Sequence, residues 1–288
     1  MTFLCYSGIG KETARDLHRR GAKIILACRN TEEAQKAAND IETRNAKFIQ
    51  GNGELVVAKL DLCSLASVRA FAQNIIESEE RVDILINNAG TWSHPSTRCE
   101  TKDGFEQTIG VNHFGPFLLT NLLTDKMAHS PELPSRIINV ASRAHERGKI
   151  RLDDINCENE YNGFAAYSQS KLANILFTNE LSEKLKDKNQ DVSVYSLHPG
   201  VIYTNLYREF DQQYGLLVKI GCAFVWPFLK SSKEGAQTTI YCATEESLAP
   251  ETGKYYCDCA EKYPRPHALD KDTAAELWEM SEKLVGLK

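Results

Sequence analysis

Tyr167 and Lys171 stand four residues apart in Tyr167-Ser-Gln-Ser-Lys171, inside a run with helical patterning. On a helix this spacing puts both side chains on one face, about one turn apart. A phenol titrates near ~10 in water, too high to exchange protons readily at neutral pH. An ammonium close by favours the phenolate and lowers that value, which brings a tyrosine toward acid–base work. A strand-end hydroxyl such as Ser142 could hold a carbonyl oxygen and share its developing charge. The pair alone is weak evidence, because a solvated helix face would carry Tyr and Lys at this spacing equally well.

Such a trio needs elements to position it. Short β-branched runs at 22–29, 54–62, 82–90, 135–142, 192–200 and 253–259 alternate with helical patterns at about 10–20, 31–44, 65–79, 104–127, 164–186 and 233–243. Strands alternating with helices predict a parallel sheet covered on both faces, and the near-continuous apolar strands agree. Sheets of this kind bind ligands at the carboxyl ends of their strands. Those ends carry Arg29, Asp61, Asn88-Ala89-Gly90, Ser142 and Pro199-Gly200. Gly8-Ile9-Gly10 opens the first helical run and could cradle a phosphate on free helix amides.

Composition narrows the class. The chain has 288 residues, 42% of them hydrophobic and 25% charged, with a formal net charge of −5. That length builds one large domain or two small ones. The charge gives no general nucleic-acid surface. Nine cysteines form neither a disulfide nor a zinc pattern, so no metal is expected and a reducing compartment fits. The sequence contains no signal-peptide or transmembrane pattern. The longest apolar stretch, 215–229, carries Lys219 and Pro227 and is too short to span a bilayer. It reads as a core or lid segment, or as a peripheral membrane contact.

Taken together, the motifs resemble the short-chain dehydrogenase/reductase family, and more narrowly its branch of retinol dehydrogenases and NADPH-dependent carbonyl reductases. The residues that carry the likeness are Ser7-Gly-Ile-Gly10, Asn88-Ala-Gly90, Asn112-His-Phe-Gly115, Asn139-Val-Ala-Ser142, Tyr167-Ser-Gln-Ser-Lys171 and His198-Pro-Gly200, in family order. The resemblance implies a Rossmann-like, doubly wound parallel α/β sheet in a single domain over 1–288, with an apolar substrate lid at about 205–230. It implies Tyr167 as the general acid/base, Lys171 as the group that lowers its pKa and holds the nicotinamide ribose, and Ser142 as the group that orients the carbonyl. Asn112 would anchor a water leading from Lys171 to solvent. The cofactor contacts it implies are Ser7, Gly8, Ile9, Gly10, Arg29, Asn30, Asp61, Leu62, Asn88, Ala89, Gly90, Tyr167, Lys171, Pro199, Gly200, Val201 and Thr204.

An acid after the second strand usually marks NAD preference. Here the strand ends Leu26-Ala27-Cys28-Arg29-Asn30, and the Arg29 fork suits a 2′-phosphate, so NADP(H) is the expected cofactor. The expected substrate is a small lipophilic aldehyde, ketone or alcohol. The expected location is the cytoplasm or the periphery of an intracellular membrane.

The chain departs from the family at its start. Phe3-Leu4 stands where Thr-Gly is normal, and Met1–Leu4 is too short to replace a whole central strand. The first strand is therefore expected to be largely missing, as in a truncated form. A catalytically impaired or non-catalytic dinucleotide-fold binding protein is the alternative that this departure motivates. A nucleotide-sugar epimerase would use a similar Tyr/Lys pair, but it would want a larger C-terminal part than the chain has after Cys259.

Overall fold

The computed structural model describes residues 2–4 (backbone only), 7–48, 53–127, 134–202 and 230–288. Thr204 and all but the last residue of the expected lid, 205–230, lie outside the described residues. The described strands are β1 (Thr2–Leu4), β2 (Lys23–Cys28), β3 (Glu54–Lys59), β4 (Ile84–Asn87), β5 (Ser135–Val140), β6 (Val192–His198), β7 (Lys254–Cys257) and β8 (Ala260–Glu261). They form one eight-stranded sheet in the order β3-β2-β1-β4-β5-β6-β7-β8. Every neighbouring pair is parallel except the β7–β8 hairpin. The strand order reverses between β1 and β4, which opens a crevice at their carboxyl ends.

The helices are α1 (Gly8–Arg19), α2 (Thr31–Asn45), α3 (Leu65–Ser78), the short α4 (Gln107–Ile109), α5 (Gly115–Met127), α6 (Gly163–Asp187), α7 (Ser232–Thr244) and α8 (Lys271–Leu284). Their starts are chemically marked. Asn30 accepts the Glu32 and Glu33 amides, Ser64 the Ser67 amide, Asn162 the Ala165 amide, and Asp270 the Asp272 and Thr273 amides. Each cap satisfies donors that the first helical turn leaves without partners.

Alternation along the strands divides the core into two layers. Ile25 joins a cluster with Val68 and Phe71 of α3, Phe117 of α5, Ile175 of α6 and Trp278 of α8. Ile24 and Leu26 face the other way, against Ala14 and Leu17 of α1, Ile41 of α2 and Cys242 of α7. Side chains two apart share a face, so one strand feeds both layers. All residues of β5 and β6 are buried, as strands covered on both faces must be.

One expectation needs refinement and one correction. The first strand is short, three residues against six in β2, but it is present in the sheet. Thr2, Phe3 and Leu4 pair with Ile24, Ile25 and Leu26 of β2, while Thr2 and Phe3 also pair with Ile84 and Leu85 of β4. Three extended residues supply ladder partners on both sides, so β2 and β4 do not rejoin directly, and β1 covers Ile24, Ile25 and Leu26 of the one and Ile84 and Leu85 of the other. The helix expected over 104–127 is not continuous. A π turn, Gly110–Phe114, separates α4 from α5. Pro116 has no N–H to return to the Asn112 carbonyl, and a π turn of this kind re-aims side chains at functional sites.

The last helix was not foreseen. It buries Ala274, Leu277, Trp278 and Ser281, which is the spacing of one helix face. Trp278 packs against Phe117 at 4.9 Å and Phe177 at 5.8 Å between ring centroids. His113 in the π turn meets Ser281 Oγ at 3.0 Å. The helix thus clamps the π turn, α5 and α6 together.

Candidate active site

The carboxyl ends of β2, β3 and β4 border a cleft of about 250 Å³. Arg29, Asp61, Leu62, Asn88 and Ala89 all line it, together with Cys28, Cys63 and Thr91. Burial alone would raise the Asp61 carboxyl. The Lys102 ammonium at 2.9 Å, the Cys63 amide at 3.1 Å and the charge of Arg29 outweigh it and hold the group below the usual carboxylate range. Arg29 is exposed at the rim, and its carbonyl accepts a hydrogen bond from Lys59 Nζ at 2.7 Å. Lys59 therefore brings a second cation to the same rim. Asn30 is placed differently, because its side-chain oxygen is spent on the α2 amides.

Gly8-Ile9-Gly10 form the first turn of α1, with no acid in that turn. Gly8 has φ +55°, a left-handed conformation that glycine adopts without a Cβ penalty. The positive end of this helix is suited to an anion. Ile9 lies beside Gly235 of α7. Ser7 precedes the helix, and its carbonyl accepts the Lys11 amide at 3.3 Å.

At the centre, Lys171 is buried with 3% of its surface exposed. Its Nζ donates to the Val140 carbonyl at 3.0 Å, two residues before Ser142, and sits 5.7 Å from the centroid of the Tyr167 ring. Desolvation lowers its pKa from 10.5 to about 8. Tyr167 and Lys171 share one face of α6, as their spacing requires. Ser142 follows β5 by two residues and caps the next turn, where its Oγ accepts the Ala144 amide at 3.2 Å. His145 Nδ1 contacts the Ser142 carbonyl at 2.7 Å, and His198 Nδ1 accepts the Arg143 amide at 3.3 Å. Burial pushes His198 down to about 4, so it stays a neutral acceptor at physiological pH.

Asn112 ties the segment after β4 to α6. Its Oδ1 accepts the Thr91 amide at 2.8 Å, and its Nδ2 donates to the Thr91 carbonyl at 3.0 Å and to Ser170 Oγ at 2.9 Å. Ser170 Oγ in turn donates to the Tyr167 carbonyl at 2.8 Å. The Asn112 side-chain amide is thus committed to protein partners. Gly90 passes close to this network, since a Cβ there would lie 3.1 Å from Lys171 Nζ and 3.8 Å from Asn112 Oδ1. Pro199, Gly200 and Val201 continue from β6. Gly200 has φ +94°, and the Lys230 side chain crosses it where a Cβ would stand.

Several participants escaped sequence reasoning. Trp92 stacks on Tyr167, with ring centroids 5.2 Å apart and planes 11° from parallel. Its position two residues beyond Gly90, at a strand's carboxyl end, was the available signal. Lys59, Lys102 and His145 carried no motif, and His198, although part of His198-Pro-Gly200, gave no sign that it would meet the Arg143 amide. A dinucleotide suits the cleft, because the buried Asn88 Oδ1 lacks a partner among the described residues, and Asn88 lines the cleft where a ribose hydroxyl could donate to that oxygen.

A family model described as short chain dehydrogenase matches residues 5–215. Human "Retinol dehydrogenase 14" is 46% identical over 290 residues, covering 98% of this chain and 84% of that one. Human "Retinol dehydrogenase 13" is 48% identical over 285 residues, covering 98% and 82% respectively. Among solved structures, an uncharacterized protein from Mycobacterium Paratuberculosis is 33% identical, with a TM-score of 0.76 over 99% of this chain and 92% of that one. No helix among the described residues is long and apolar enough to cross a membrane. With its crossed-over parallel sheet and its ordered motifs, the chain belongs to the short-chain dehydrogenase family, as a retinol dehydrogenase-like member.

Proposed function

We propose that this protein is an NADP(H)-dependent oxidoreductase that interconverts a lipophilic aldehyde or ketone and the matching alcohol. The observation that carries the reading is the buried Lys171 ammonium beside the Tyr167 ring, tied to Val140 at the end of β5, two residues before Ser142. The names of its retinol dehydrogenase relatives support the alcohol–carbonyl chemistry. The paired strand β1 removes the main motive for a non-catalytic binding protein.

In this reading the Tyr167 hydroxyl gives its proton to the carbonyl oxygen during reduction and takes it back in oxidation. Lys171 favours the phenolate through its charge in a poorly solvated site. The Ser142 hydroxyl donates to the same carbonyl oxygen, so that charge developing there meets two oriented donors. Asn112 holds α6 and the segment after β4 in register, keeping Gly90 against Lys171. A bound nicotinamide dinucleotide supplies the hydride. Arg29 and Lys59 would meet a 2′-phosphate at the rim, and the α1 amides a pyrophosphate.

The test is NADPH oxidation with decanal and with retinal, by wild type and Tyr167→Phe. Turnover by the wild type and a loss of two or more orders in the variant is the expected result. No NADPH binding, or full activity in Tyr167→Phe, overturns the assignment.

A further inference from the structure

An aromatic series leads away from Tyr167 toward solvent. Trp92 lies flat on the Tyr167 ring, and Phe164 packs on Trp92 at 5.7 Å between centroids. The Arg147 guanidinium stands 6.0 Å from the Phe164 centroid. These residues arrive from separate elements. Trp92 follows β4, Arg147 closes the turn after Ser142, and Phe164 and Tyr167 stand three apart on α6. Phe164 is 38% exposed, and Arg147 is exposed.

The charges around Arg147 are already committed elsewhere. Glu146 receives Arg143 at 3.4 Å and Arg265 at 3.6 Å. Among the described residues no carboxylate pairs with Arg147. A series of rings in contact therefore runs from Tyr167 to a cation that has an aromatic face beside it and, among the described residues, no paired carboxylate. Such a face orients a guanidinium without neutralising it, and the planar fork matches a carboxylate through two parallel hydrogen bonds.

We infer that the preferred substrate is an amphipathic carbonyl compound, with its reacting carbonyl at Tyr167, an apolar body along Trp92 and Phe164, and a distal carboxylate at Arg147. The inference rests on the oxidoreductase reading above and adds to it the far end of the substrate. With NADPH as reductant, the carbonyl carbon takes the hydride and its oxygen takes the Tyr167 proton. The distal carboxylate is unchanged by the reaction.

The experiment compares azelaic semialdehyde with its methyl ester, which keeps the length and removes the charge. Decanal and retinal serve as neutral references, and NADPH oxidation is the readout. Wild type is expected to favour the acid by about five- to tenfold in kcat/KM, the discrimination of a charge-assisted contact at a partly exposed site. That preference is expected to lie in KM and to weaken as salt rises. Arg147→Ala is expected to bring the acid-to-ester ratio to about one, and Arg147→Lys to leave it in between. A folding defect would lower both substrates together and leave the ratio standing, which overturns the assignment to Arg147. Equal use of acid and ester by wild type, or turnover of decanal or retinal alone, overturns the inference while the oxidoreductase reading survives. If none of the four aldehydes is reduced, that reading fails and the inference fails with it.

Discussion

Replacing Lys171 by Met is expected to give a protein that is more stable at neutral pH and nearly inactive. The lysine is 3% exposed, and burial lowers its pKa from 10.5 to about 8. At ~1.36 kcal/mol per decade, that displacement is about 3 kcal/mol held against the charged form. Methionine removes this penalty and fills a similar volume. The Val140 carbonyl loses the Lys171 donor but keeps Asn174 Nδ2 at 3.3 Å, so the lost hydrogen bond offsets ~1 kcal/mol. A net gain of roughly 1–2 kcal/mol at pH 7 follows. The sign with pH is fixed by linkage. Between about 8 and 10.5, the unfolded wild-type chain still binds a proton that the folded chain has released, so wild-type stability rises with pH in that window. The advantage of the variant is constant below it and fades across it. Urea denaturation of both proteins at several pH values reads this directly. A variant less stable than wild type at pH 7, or an advantage that persists above the window, refutes the account of a buried charge held at a cost for chemistry.

Other perturbations test neighbouring parts of the structure. Gly90→Ala places a Cβ 3.1 Å from Lys171 Nζ, so it is expected to raise the cofactor KM several-fold while leaving the thermal midpoint almost unchanged. Arg29→Ala is expected to weaken NADPH binding by about one to two orders of magnitude while sparing NADH; equal losses measured by fluorescence titration would remove the phosphate contact. Lys102→Met removes the partner of Asp61 and is expected to raise the Asp61 pKa, as read by NMR. The wild-type stability from this pair is present above the unfolded carboxylate pKa and lost as pH falls through the depressed folded value, so the variant loses less stability on acidification. Trp278→Ala empties a site 5% exposed between Phe117 and Phe177 and is expected to cost ~3–5 kcal/mol in denaturant unfolding.

Where local chemistry dictates an element, the sequence discloses it. Asn30, Ser64 and Asn162 mark helix starts, and the apolar runs of β2, β5 and β6 identify strands buried on both faces. Strand ends were less legible. The 192–200 run, for example, leaves the sheet after His198, because Pro199 cannot donate to a ladder. That a short β1 still sits in the sheet was hidden for a different reason. Three residues carry too little pattern to register as a strand, and the partners on both sides that hold them lie far along the chain. Of the candidate site, Tyr167, Lys171, Ser142 and Asn112 could be named from motifs. Trp92 could not, because stacking on a ring 75 positions away is a product of the fold. The partners of charged groups, such as Lys102 on Asp61, are equally invisible until the chain has folded.

The aromatic clamp formed by α8 also sets an order of events during synthesis. Among the described elements α8 is the last to leave the ribosome, yet it covers the faces of α5 and α6 that hold Phe117 and Phe177. Until it arrives, a nascent chain with its sheet largely assembled still presents that apolar seam to solvent, and such surfaces recruit chaperones or neighbouring chains. The π turn beside Asn112 lacks its Ser281 partner over the same interval. The packing around the π turn of the candidate site is thus completed only when α8 docks, and a chain that lacks α8 is expected to keep a nearly whole sheet beside an unsupported π turn.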